Sequence, residues 1–247
     1  MRIQFKFGAF LLLLTATAFG MSDNDPLPSA DEVIAKTMAR DAQRQALTAG
    51  YRGMRRYVLE NDLLHKRAEM LVRVEGGADG TKHFEIVSEE GWKGAQKRVL
   101  RKMLETEAEA SNPQTRLQTR ISPDNYEFHM VRATLLGNRM AYVIDAVPKR
   151  REQRLFEGRI WIDAQDYALV RIEGAPSQSP SFWIRSIHFV HIYRNEGPFW
   201  FPASTESDTE VRIFGLTTVS INYFDYTPNP LNATATTVAA PKGVLTQ

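Results

Sequence analysis

The chain has 247 residues, no cysteine, 43% hydrophobic and 24% charged residues, which suits one medium-sized core and excludes disulfide or thiolate chemistry. Its formal charge of +2 is carried by Arg2 and Lys6 in an acid-free first twenty residues; of 31 basic residues, 29 then remain against 29 acidic ones. A neutral chain lacks the clustered cationic surplus that phosphate backbones demand, which excludes a nucleic-acid partner.

Arg2 and Lys6 lead into an apolar run from Phe7 through Leu11-Leu12-Leu13-Leu14 to Phe19, with small residues at Ala18 and Gly20. This predicts a cleavable secretory signal peptide over residues 1–20, because the run is shorter than the ~20 apolar residues of a spanning helix. With no cysteine after it there is no site for a bacterial lipid anchor. A free periplasmic protein is expected, stabilised by core burial alone.

Residues 21–28 are polar and expected to be disordered. Ser29-Ala30-Asp31-Glu32 matches a capping box and predicts a helix from Ala30 to Ala46, with a thin apolar stripe of Ile34, Met38, Ala42 and Ala46 beside Val33. So thin a stripe predicts a peripheral cover. Three strands follow, near Tyr51–Glu60, Leu63–Val74 and Lys82–Val87, separated by turn residues at Asn61-Asp62 and Gly76-Gly77-Ala78-Asp79-Gly80. Ser88 is expected to cap a second helix, Glu90 to Ala110, with Trp92, Val99, Leu100, Met103 and Leu104 on one side and a solvated Lys93, Lys97, Arg101, Lys102 face.

After Pro113 the pattern from Tyr126 onward is almost continuously β: Tyr126–Leu135, Met140–Val147, Gly158–Asp163, Ala168–Glu173, Phe182–Arg194, Phe199–Ser207, Asp208–Phe214 and Thr217–Tyr226. Short turns at Gly137-Asn138, Asn195-Glu196-Gly197 and Gly215 imply antiparallel neighbours. In the Phe156–Gly174 hairpin, Ile160 and Ile162 are expected to share a face with Val170 and Ile172, and Arg159 and Trp161 with Leu169 and Arg171. Residues 228–247 are expected to be a flexible tail.

One face is apolar across many strands: Tyr126, Phe128 and Met130; Tyr142 and Ile144; Ile187 and Phe189; Val219, Ile221 and Tyr223. Two helices cannot cover so wide a sheet. The predicted fold is α+β and mostly β, a curved antiparallel sheet forming an incomplete β-barrel with two covering helices and an apolar cavity between. Candidate cavity residues are Met38, Met70, Trp92, Val99, Met103, Tyr126, Phe128, Met130, Tyr142, Ile144, Ile160, Ile162, Ile187, Phe189, Ile221 and Tyr223.

The segment from Pro148 to Tyr226, with its GRIWID and WFPASTES stretches, resembles the LolA/LolB-like periplasmic family, especially its outer membrane lipoprotein-sorting branch. The order of signal peptide, helix, strands, helix and long meander extends the resemblance over most of residues 29–227. It implies a half-barrel with a helical lid, an interior for acyl chains, and Arg52, Arg55 and Arg56 as candidates for a lid-latching arginine. It also implies a lipid or acylated lipoprotein as partner, with a membrane-associated donor or acceptor protein.

Signals for catalysis are poor. There is no Gly-x-Ser-x-Gly elbow and no phosphate-binding glycine loop. His188 and His191 sit three apart on an expected strand and so point to opposite faces, against a metal pair. Asp163 and Asp166 flank a hairpin turn, where Asp bonds local amides. Lys149, Arg150, Arg151 and Arg154 read as a solvated loop. The leading expectation is a monomeric, cofactor-free carrier that sequesters a lipid or acyl chain. The alternatives are a lipid-sensing or protein-interaction module of the same fold, and a packed domain with no cavity; an enzyme ranks last.

Overall fold

Along β1 (Gly50–Asn61) every second side chain from Arg55 is buried: Arg55, Tyr57, Leu59 and Asn61. The same period buries Ala68, Met70, Val72 and Val74 in β2 (Lys66–Gly77). This is the signature of strands with one covered face. The computed structural model describes residues 26–229 and 231, so the expected signal peptide and most of the expected tail lie outside it.

The remaining strands are β3 (Lys82–Gly91), β4 (Tyr126–Leu136), β5 (Arg139–Pro148), β6 (Phe156–Asp163), β7 (Leu169–Pro176), β8 (Ile184–Glu196), β9 (Phe199–Val211) and β10 (Gly215–Pro228). All ten form one sheet in the order β3-β2-β1-β10-β9-β8-β7-β6-β5-β4. Every pairing is antiparallel. The sheet consists of a three-strand and a seven-strand meander, joined where β1 meets β10 and left open at β3 and β4. The predicted α+β, open antiparallel fold is the one observed. Register shifts at Arg52/Met54, Leu71/Val72, Met130/Arg132, Trp161/Ile162, Ile184/Ser186 and Ile192/Tyr193 mark bulges, which bend and twist the strands they interrupt. Gly158 faces Gly174 across β6 and β7. A Cβ at Gly158 would lie 2.1 Å from the Glu173 carbonyl oxygen, so the close approach there requires glycine.

Two helical segments divide the covered face between them. Helix α1 (Ala30–Gln45) starts at Ser29, whose hydroxyl accepts from the Glu32 amide at 3.2 Å. Glu32 turns outward to Lys36 at 2.7 Å, so only half of the expected capping box forms. Val33 and Ile34 are fully buried, in a core with Tyr126, Phe128, Tyr142, Ile144, Ile160 and Ile162. Ala42 and Ala46 are exposed, so the helix is core at its start and cover at its end.

The second segment is continuous from 93 to 111: α2 (Lys93–Ala95), a π-helical turn (Gln96–Leu100) and α3 (Arg101–Ser111). Its Ala95, Leu100 and Leu104 join a separate core with Tyr57, Leu59, Met70, Val72, Val219, Ile221 and Tyr223. A short α4 (Pro113–Thr119) follows, with Asn112 accepting from the Gln114 amide and Pro113 at the first turn.

Four expectations need correction. Ser88 is not a helix cap: it pairs with Leu71 inside β3, whose Glu89 and Glu90 continue against Met70 and Glu69, and the helix begins only at Lys93. The expected strands Phe199–Ser207 and Asp208–Phe214 are one, because β9 pairs without a break with β10 from Ser204 to Val211. Pro113, expected to mark the end of the helical region, instead opens a further helix, α4. In the β6–β7 hairpin the bulge at Trp161/Ile162 sets Leu169 opposite Ile162 and exchanges the faces of Leu169 and Val170. Leu169 packs with the α1 core, and Val170 packs outside with Trp161, Ala141 and Val143.

Candidate functional site

The two cores leave uncovered space between the 93–111 helical segment and strands β1, β8, β9 and β10. A cavity of about 1040 Å³ opens there. Leu59, Trp92, Ala95, Val99, Met103, Ile184, Ile187, Val211, Phe214 and Val219 supply most of its apolar lining, and Asn61, Ser181, Ser207, Thr209 and Thr217 the neutral polar part. Small-molecule sites span roughly 300–1,000 Å³, so this space is large enough for a sizeable apolar ligand. The π-helical turn adds one residue per turn and carries Lys97, Arg98 and Val99 along the cavity; such turns recur where a helix must re-aim side chains.

Beyond the cavity floor, the sheet is locked to α3 through a buried cation. Arg55 has 1% side-chain exposure, and its Nη1 lies 2.7 Å from Glu107 Oε2. Its Nη1 also donates to the Tyr57 hydroxyl at 3.2 Å and its Nε to the Tyr226 hydroxyl at 2.8 Å. Its guanidinium carbon lies 4.9 Å from the Tyr223 ring centroid and 5.2 Å from that of Phe84. Lys82 Nζ reaches the other Glu107 oxygen at 2.8 Å. Burial pushes the Glu107 carboxyl up, but Lys82 and Arg55 outweigh it and hold the group down to about 2. Burial works against the Arg55 charge, and Glu107 more than restores it. Burial also raises Tyr57 to about 12, and lowers His191, with Lys82 adding to the effect, to about 4. Of the three arginines named from the sequence, Arg55 alone is buried.

This cluster borders a second, smaller cavity of about 430 Å³ under the C-terminal half of α1, lined among others by Asp41, Arg44, His191, Tyr193, Phe201 and Tyr223.

The predicted cavity residues fall into three groups. Trp92, Val99, Met103 and Ile187 line the large cavity. Met70, Ile221 and Tyr223 lie in the core beneath the 93–111 helix, with Tyr223 reaching the smaller cavity. Met38, Tyr126, Phe128, Met130, Tyr142, Ile144, Ile160, Ile162 and Phe189 pack together with α1. Sequence reasoning missed Leu59, Ile184, Val211, Phe214 and the cationic side chains that line the cavity. Lys93, Lys97, Arg101 and Lys102 are exposed, as expected of a solvated face, and Lys93, Lys97 and Lys102 also border the cavity, which helical spacing alone does not reveal.

His188 is exposed beside Glu173 at 3.4 Å, whereas the His191 ring packs 5.7 Å from that of Tyr223. Asp163 serves the turn, accepting from the amides of Gln165 and Asp166 and from Arg139 at 2.6 and 2.7 Å. Burial opposes its charge, but Arg139 and these amides keep its carboxyl below the usual range. Arg150 and Arg154 are occupied by Glu152, Asn125 and Glu109. Among the described residues there is no group of three or more metal-ligating side chains, and no helix long and apolar enough to cross a membrane. Between Ser181 and Ile184 of the cavity lining, Phe182 is 75% and Trp183 54% exposed; Leu63, Ile213 and Leu216 are exposed as well.

No curated protein matches this chain. Among solved structures it is similar to a LolA superfamily protein from Nitrosomonas europaea, at 9% identity over 83% of this chain and 96% of that one, TM-score 0.44. It is similar to a DUF1329 family protein from Desulfovibrio piger, at 10% identity over 83% and 95%, TM-score 0.43. A third likeness is to a domain described as an outer membrane lipoprotein-sorting protein from Vibrio parahaemolyticus, at 11% identity over 79% and 93%, TM-score 0.37. Residues 121–229, the seven-strand meander with its lead-in, match the model of a family of unknown function, DUF5686.

Proposed function

We propose that the protein is an exported binding protein that sequesters a lipid or the acyl chain of a lipoprotein in the cavity between the sheet and the 93–111 helix. The observation that carries this reading is the cavity of about 1040 Å³ with its apolar lining. Each methylene moved from water into such a lining contributes about 0.8 kcal/mol, so one long chain is a substantial ligand. The protein acts by binding as a monomer, with a membrane-associated donor or acceptor protein supplying or taking the cargo. Release needs movement of the segment carrying Trp92 to Met103, which the Arg55–Glu107 pair anchors at its far end.

The test is native mass spectrometry with lipid extraction on protein purified from its own cell envelope. Co-purifying acylated species that disappear on Ile187→Trp, which fills the cavity from β8, are the expected result. A clean unliganded mass for the parent protein, with no uptake of a fluorescent acyl probe, would exclude the carrier.

A second reading, a lipid-responsive interaction module with the same cavity, is favoured by the exposure of Phe182 and Trp183 beside it. In that case Phe182→Ser with Trp183→Ser leaves lipid retention intact and abolishes partner capture.

A further inference from the structure

Acidic and basic side chains are otherwise mixed along the chain, yet the lining of the large cavity contains Lys93, Lys97, Arg98 and Lys102 and no Asp or Glu. The chain outside its first twenty residues is neutral, so this is a local separation of charge and not a reflection of overall composition. All four cations are exposed. Lys102 leans on Glu105 at 3.2 Å, while among the described residues Lys93, Lys97 and Arg98 pair with no carboxylate within 4.0 Å. The neighbouring Arg101, by contrast, is taken up by Glu89.

The four cations come from successive turns of one helical segment, and the π-helical turn sets Lys97 and Arg98 beside Val99, so cationic ends and apolar lining belong to the same space. Their aliphatic stems extend the apolar wall while their charged heads stay in water. Each exposed charge pair is worth little alone, but three or four converging on one head at an apolar opening add in the same direction.

Resting on the carrier reading above, we infer that the cavity selects amphiphiles with an anionic head: the acyl chain lies against Leu59, Met103, Ile187 and Val219, and a carboxylate or phosphodiester is held by Lys93, Lys97, Arg98 and Lys102. The recognised chemistry is a single anionic group on a long apolar chain, whether from a free fatty acid or an anionic phospholipid.

The experiment titrates the purified protein with cis-parinaric acid and with its methyl ester, which share one chain and differ in charge. The acid is expected to bind about tenfold tighter at low salt, with the preference shrinking as salt rises. Lys97→Glu with Arg98→Glu, at exposed positions that the core does not use, is expected to bring the ratio close to one by weakening the acid far more than the ester. Circular dichroism confirms that the variant is folded. Parallel titrations with fluorescent phosphatidylglycerol and phosphatidylcholine assign the source: preference for phosphatidylglycerol identifies an anionic phospholipid, and acid binding without it a free fatty acid. Equal binding of acid and ester overturns the inference and leaves the carrier standing. An acid preference untouched by the double substitution overturns the assigned residues. Binding of neither probe removes the carrier and the inference together.

Discussion

Glu107 on α3 stands between Arg55 of β1 and Lys82 of β3, 2.7 and 2.8 Å from their nitrogens, so one carboxylate ties the helix to two strands at once. The arrangement is asymmetric. Arg55 has 1% side-chain exposure and, among the described residues, only this anion as a charge partner, whereas Glu107 has 32% exposure and two cations. Glu107→Ala therefore strands a buried guanidinium and is expected to cost about 3–5 kcal/mol. Arg55→Met leaves Glu107 paired with Lys82 and partly solvated, and replaces the arginine stem with apolar volume, so its cost is smaller. Urea unfolding of the two variants checks the order; equal losses would contradict the asymmetry.

Stability is expected to fall with pH in two separable steps. His191 titrates near 4 when folded against 6.5 ordinarily, so below about pH 6.5 the unfolded chain binds a proton the folded one refuses, and stability drops as pH falls toward 4. Glu107 is held at about 2 against 4.5, so its contribution is fully present above pH 4.5 and is lost as pH falls through 2. His191→Gln should flatten the upper window only, whereas Glu107→Gln should remove the lower window and, because the Glu107 charge favours protonated His191, also deepen the upper one. Unfolding midpoints measured from pH 7 to pH 2 separate the two.

The β6–β7 turn concentrates its stabilisation on one of two aspartates. Asp163 has 2% side-chain exposure and accepts four hydrogen bonds, while Asp166 has 32% and shares Arg139 at 2.8 Å. Asp163→Ala is expected to cost about 2–3 kcal/mol, mainly from the two turn amides it leaves without an acceptor, since Arg139 stays half-exposed and paired with Asp166, and Asp166→Ala less than about 1 kcal/mol. At roughly 2–4 °C per kcal/mol for a domain of this size, thermal melting resolves the difference.

The strands and their order could be read from alternation and turn residues, because those signals are local. Gly137-Asn138 and Asn61-Asp62 fall where Leu136 pairs with Arg139 and where Asn61 closes β1. Features set by strand pairing were harder to read. Ser88-Glu89-Glu90 has the composition of a helix start, yet Met70 and Glu69 supply pairing partners that keep it extended. Leu169 and Val170 follow strict alternation in the sequence, and only the bulge opposite Trp161 exchanges them. The same limit applies to the site: Trp92, Val99, Met103 and Ile187 were recognisable as apolar and aligned, but nothing local separates them from Phe128 or Ile160. What distinguishes them is that α1 covers one half of the face and the 93–111 helix stands off from the other. Arg52, Arg55 and Arg56 are likewise alike in sequence, and the position of Arg55 beside the β1 bulge decides which one enters the interior.

The seam between β1 and β10 also governs how the chain reaches this structure. Arg55 and Tyr226, bonded across it, are 171 residues apart in sequence. The three-strand meander can fold on itself early, but its central neighbour exists only once nearly all of the sheet-forming sequence has been made. Joining ends so distant incurs its loop entropy before any pairing rewards it, so assembly should be slow, in the millisecond-to-second range of non-local β proteins. During that interval β1 and β10 each offer an unpaired edge. A chain that completes its sheet last can still be threaded unfolded through a narrow pore, and it is most open to aggregation or to a chaperone in that same interval.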